Sequence, residues 1–142
     1  MKLALIQQPA SHDRRANLQT GISNARTAAE SGADLICFAE LAFDRFYPQN
    51  PAKPEDLARA VTIPGASVDP FCDIARQYQC VIALNLFESS GGKTYDSSPV
   101  IDADGSILGT TRMVHITDYP CFHEQGYYEP GDPVSYTHLR AH

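Results

Sequence analysis

A chain of 142 residues suffices for one modest domain and is too short for two ordinary ones. Apolar residues make up 43% and charged residues 20%, the balance of a soluble globular protein. The net charge of −6, with no run of Lys or Arg, argues against a nucleic-acid or anionic-membrane partner, and no apolar run is long enough to span a bilayer.

The four cysteines, Cys37, Cys72, Cys80 and Cys121, form no CxxC pair, so neither a zinc knuckle nor a thioredoxin motif is present. They read as free thiols in a reducing cytoplasm, with Cys121 alone in a polar, aromatic loop.

In chain order, residues 2–8 (KLALIQQ) predict a strand ended by Pro9. A helix is expected over 15–31, because Leu18, Ile22, Ala25 and Ala29 share one face and Gly32 follows as a stop. Residues 34–39 of the stretch DLICFAEL are nearly all apolar, the pattern of a strand buried on both faces. Strand, helix, strand at this spacing predicts a βαβ unit with parallel strands. Glu40 ends the second strand, where α/β folds collect their chemistry. It reads either as a functional carboxylate or as a solvated loop acid.

Residues 42–54 form a loop rich in Phe, Tyr and Pro that either lines a cavity or covers the core. A short helix over 54–60 and a second main helix over 70–79, capped by Asp69, come next. Residues 80–87 (CVIALNLF) predict a buried strand, and 95–102 and 106–116 two more, joined by the Asp104-Gly105 turn. His115, Asp118, His123 and Glu124 are loosely spaced for a metal and match no standard zinc pattern.

Several stretches together resemble the N-terminal half of the nitrilase superfamily, the carbon–nitrogen hydrolases: LALIQ, GADLICFAEL, IPG before a helix, VIALNLFE, YDSSPVIDADGSILGTTRMVHI and the loop ending YYEPGD. HITD followed by YYEPGD resembles the N-carbamoyl-amine and aliphatic amidase branch in particular. The resemblance implies an α/β fold, the N-terminal part of an α-β-β-α sandwich. It implies a small-molecule amide or carbamoyl substrate, no cofactor, and a homo-oligomer in the full-length protein. It also implies thiol chemistry with a Glu general base, a Lys, a Cys nucleophile and often a second Glu. Glu40 matches the general base and Glu124 the second glutamate. Partial burial beside a thiol suits a base of this kind.

Two departures stand out. The family's lysine position is occupied by Met113, and its neighbour Arg112 points to the opposite face of a strand, so it is a poor substitute. No nucleophile motif follows Asp132, and Cys121 precedes the end of the loop, where it reads as a cysteine packed by Tyr119 and Phe122. Residues 134–142, VSYTHLRAH, resemble a translated transposase-type sequencing adapter at all nine positions, so 1–133 is expected to be the partial domain and 134–142 a non-native tail. A half-domain of this kind is expected to leave Val81, Ala83 and Leu84 facing water and to be unstable alone.

Overall fold

The computed structural model describes residues 1–132. The expectation for 134–142 lies outside the described residues. The first strand, β1, is Leu3–Ile6. Helix α1 runs Arg14–Glu30 and is opened by Asp13, whose side chain accepts from the Ala16 N–H at 3.0 Å. Strand β2, Leu35–Phe38, pairs parallel with β1, as a βαβ unit demands. A short helix α2, Pro54–Leu57, ends three residues earlier than its sequence suggests. Helix α3, Asp69–Tyr78, stops at Gln79, which adopts a left-handed conformation (φ 53°) without being glycine.

The expected strand over 80–87 is longer and interrupted. Its pieces are β3, Val81–Ala83, and β4, Leu86–Ser90. Both pair antiparallel with β5, Lys93–Ile101, in one continuous register from Ile82↔Ile101 to Ser90↔Lys93. The interruption lies opposite Pro99, which has no N–H to give the ladder. Gly91 and Gly92, both at positive φ, turn β4 into β5. Strand β6, Ile107–Arg112, closes the sheet's far edge against β5 and ends four residues before the pattern predicted. The Met113 N–H still bonds the Asp96 carbonyl, but its own carbonyl turns to the Gly131 N–H. A Cβ on Gly131 would stand 2.6 Å from the Arg112 carbonyl oxygen, so only glycine lets the final loop lie this close to β6.

Helices α1 and α3 cover one face of the sheet. Ile36, Ile82 and Ile101 point there and pack with Ala25, Phe71 and Ile74. The buried face of α1 is Asn17, Gly21, Ala25 and Ala29, turned slightly from the Leu18–Ile22 face that apolarity alone suggested. Phe43 fills the groove over Gly21, and Asn17 donates to the Phe43 carbonyl at 3.0 Å. The aromatic loop 42–54 is therefore core cover at Phe43. At Tyr47 it belongs to a second cluster with Phe87, Tyr127 and Tyr128.

The opposite sheet face is only partly covered among the described residues. In β2 only Ile36 is fully buried, while Leu35 and Cys37 are half-exposed, which corrects the expectation of burial on both faces. Val81 and Ala83 are likewise half-buried, whereas Leu84, on the helix side, is buried. No helix among the described residues is long and apolar enough to cross a membrane.

Candidate active site

Side chains alternate across a strand, so the register decides which groups meet. Ala83, Asn85, Asp96, Ser98, Thr111 and Met113 share the face away from the helices. With Phe38, Glu40 and His115 they line an open cavity of about 720 Å³.

Glu40 follows the C-terminal end of β2, in the turn before Leu41, whose φ is 47°. Asn85 holds that turn: its Oδ1 accepts from the Leu41 N–H at 2.7 Å. The same amide donates from Nδ2 to Asp96 Oδ1 at 2.5 Å and to Ser98 Oγ at 3.1 Å. Glu40 is exposed in this chain rather than partly buried, because it stands past the strand at the cavity mouth. It lines the same cavity as Asp96, and its charge helps raise the Asp96 pKa.

Asp96 was not singled out by the sequence. It is 3% exposed, and its Oδ2 has no hydrogen-bond partner. Burial pushes its pKa up to about 6; the Asn85 amide opposes this, and the charges of Glu40 and Glu124 add to it. The signal available beforehand was one acid inside an otherwise apolar and hydroxylic strand.

Glu124 is buried at the start of the 3₁₀ turn Glu124–Gly126. Its Oε2 accepts from the Thr117 N–H at 3.0 Å and from Thr117 Oγ1 at 2.6 Å. Its charge acts on both Asp96 and Tyr128, as does that of Glu40, so the three acids lie around one locality. The Tyr47 and Tyr128 hydroxyls bond each other at 2.7 Å beneath it. Burial raises both phenols, so neither ionises near neutral pH.

Arg112 is committed elsewhere. It forms a bidentate pair with buried Glu88, both contacts at 2.7 Å, and lies over the Tyr95 ring at 3.9 Å. Ser97 Oγ adds a bond to the same carboxylate at 2.5 Å. Burial opposes the Glu88 charge, yet the bonds from Arg112 and Ser97 outweigh it and lower its pKa.

None of the four cysteines lines the cavity. Burial raises the Cys72 and Cys80 thiols. Cys121 is exposed in the turn between β7, Asp118–Tyr119, and β8, Phe122–His123. Tyr119 and Phe122 stack on each other, at 4.7 Å between centroids, rather than around it. His123 Nδ1 meets Asp118 Oδ1 at 3.4 Å, while Glu124 turns to Thr117. Among the described residues no three His, Cys, Asp or Glu side chains converge as metal ligands.

Residues 2–140 match the family model of the carbon–nitrogen hydrolases. The chain is 34% identical over 131 residues to the N-carbamoylputrescine amidase of Solanum lycopersicum, covering 92% of this chain and 43% of that protein. It is 33% identical over 132 residues to the citrullinase of Francisella tularensis, covering 92% of this chain and 46% of that protein. The chain thus spans less than half the length of these relatives. The carbon–nitrogen hydrolase structure from Helicobacter pylori superposes with a TM-score of 0.83 at 25% identity, over 92% of this chain and 45% of that one. The acrylamide complex of a doubly mutated amidase from Nesterenkonia superposes with a TM-score of 0.73 at 23% identity, over 93% of this chain and 48% of that one, which speaks to the fold alone. By sequence and by fold, this chain belongs to the carbon–nitrogen hydrolase family.

Proposed function

We propose that the chain carries the general-base part of a hydrolase acting on amide or N-carbamoyl C–N bonds. The observation that supports this most is the placement of Glu40. It ends a central parallel strand, is braced by Asn85 through Leu41, and opens onto a cavity large enough for a small molecule. Relatives named for N-carbamoylputrescine and citrulline hydrolysis support the substrate class.

In this reading a cysteine supplied by a longer protein adds to the carbonyl carbon as its proton passes to Glu40. The C–N bond breaks, the proton leaves with the nitrogen, and water, deprotonated by Glu40, hydrolyses the thioester. Glu124, fixed by Thr117, positions the substrate or the groups around it. The 142-residue chain alone is expected to be inactive, with residues 1–133 the native portion. A cytoplasmic, homo-oligomeric parent belongs to the same reading.

Met113 on the cavity wall favours a second reading, a non-catalytic binding member of the same fold, because a thioether stabilises no oxyanion. The test is to recover the contiguous downstream sequence, express the whole protein and measure ammonia release from amides and N-carbamoyl amines. Turnover that Glu40→Gln abolishes supports the hydrolase. Specific binding without turnover supports the second reading.

A further inference from the structure

Glu40 stands exposed past its strand, so the backbone that carries it decides where its carboxylate goes. That backbone turns sharply at once. Leu41 sits at φ 47°, a left-handed conformation that a branched side chain disfavours and that persists only where its surroundings hold it. The hold comes from other elements at four consecutive residues. The Leu41 N–H donates to Asn85 Oδ1 at 2.7 Å, the Ala42 carbonyl accepts from Gln8 Nε2 at 3.3 Å, and the Phe43 carbonyl accepts from Asn17 Nδ2 at 3.0 Å. These three contacts are neutral. The fourth is ionic: the Asp44 side chain is 5% exposed, its Oδ1 accepts from Arg59 Nη2 at 2.9 Å and its Oδ2 meets Arg14 Nε at 3.1 Å. The Asp44 N–H also closes the turn on the Leu41 carbonyl at 2.9 Å.

We propose that Asp44 is a positioning residue: paired with Arg14 and Arg59, it clamps the turn that aims Glu40 and, through Arg59 and Tyr47, sets the spacing between Glu40 and Glu124. Asp44 does not itself line the 720 Å³ cavity. Its two partners reach outward. Arg14 is the first residue of α1, and its Nη1 donates to the Arg59 carbonyl, which ties the helix start to the segment after α2. The Arg59 guanidinium lies over the Tyr47 ring, 5.3 Å from its centroid. The Tyr47 hydroxyl meets that of Tyr128, whose N–H bonds the Glu124 carbonyl at 2.9 Å. One run of contacts therefore joins the turn of Glu40 to the loop of Glu124. Charge-assisted bonds are the strongest of the four holds, and without the carboxylate two guanidinium groups are left side by side and repel. The neutral contacts at 41–43 then carry the strained turn alone.

This inference rests on the hydrolase reading for what Glu40 does and not for how it is held, so it is tested twice. In the longer protein Asp44→Ala should lower kcat by about ten-fold or more and leave KM within about two-fold, because a displaced base slows the chemistry while the cavity lining is untouched. Arg59→Gln leaves Arg14 on the carboxylate, so it keeps the fold and should lower kcat by a smaller factor. Arg59→Lys restores a cation there and should recover most of that loss. In the 142-residue chain, amide hydrogen exchange at Leu41 should quicken about ten-fold or more in Asp44→Ala relative to exchange at Val81, whose N–H bonds the Asp34 carbonyl in the sheet. Ile74→Val loosens the helix-side core without touching the turn and should move neither kcat nor the ratio of Leu41 to Val81 exchange. Unchanged kcat in both Asp44→Ala and Arg59→Gln, a loss carried by KM, or a constant exchange ratio would each overturn the proposal. A longer protein without turnover would end the hydrolase reading, and the exchange ratio would then decide the clamp by itself.

Discussion

Glu88 and Asp96 are directly comparable and opposite in outcome. They sit on adjacent strands of one hairpin, and each is almost fully buried, at 4% and 3% exposure. Yet Glu88 lies on the helix side of the sheet and Asp96 on the cavity side, because their registers differ by one residue. On the first side Arg112 and Ser97 saturate the carboxylate. On the second an amide satisfies half of it and other acids face the rest. Burial alone therefore says little about a carboxylate; the partners decide whether its charge is held or penalised.

The sharpest way to break the contrast is Arg112→Ala. It strands Glu88 without its cation and should cost about 3–5 kcal/mol in urea unfolding at neutral pH. Since the Glu88 pKa lies below its ordinary 4.5, the pair's contribution is complete above that value and disappears as pH falls through the lowered pKa. The variant and the wild type should converge in acid.

Asp96→Asn should act with the opposite sign. The Asp96 pKa is raised from 3.8 to about 6, so the folded state binds the extra proton and stability falls as pH rises through that window. The substitution removes this penalty, worth up to about 3 kcal/mol. The gain should be full at pH 7 and vanish below pH 4; a destabilised Asp96→Asn chain at pH 7 would end the comparison.

Asn85→Ala probes the half-satisfied side. It frees the Leu41 N–H and Asp96 Oδ1 together and should destabilise by about 1–3 kcal/mol, while carboxyl NMR shows the Asp96 pKa rising further. Ser97→Ala removes one neutral donor from Glu88 and leaves Arg112 in place, a loss of about 1 kcal/mol by the same denaturation.

The order of elements was readable because its causes are local. Apolar spacing marked α1 and α3, Asp104-Gly105 marked the β5–β6 turn, and Gly105 indeed sits at φ 83°. A Cβ there would stand 2.6 Å from the Cys72 carbonyl oxygen, a constraint that no local pattern contains. Strand ends were less readable. β6 stops at Arg112 because the loop around Gly131 takes over the Met113 carbonyl, a contact between distant segments. Strand alternation places the Arg112 side chain on the face opposite Met113, and there it pairs with Glu88.

By itself the sequence determined the βαβ start, the hairpin through Asp104-Gly105, and the placement of Glu40 at a strand end, because periodicity and turn chemistry act over a few residues. Only the tertiary structure decided that Asp96 is buried beside Asn85, that Glu88 consumes Arg112, and that Glu40 stays exposed. The energy of a carboxylate depends on groups up to dozens of residues away in the chain, brought within about 3 Å by strand register and loop packing, and no local pattern encodes that proximity.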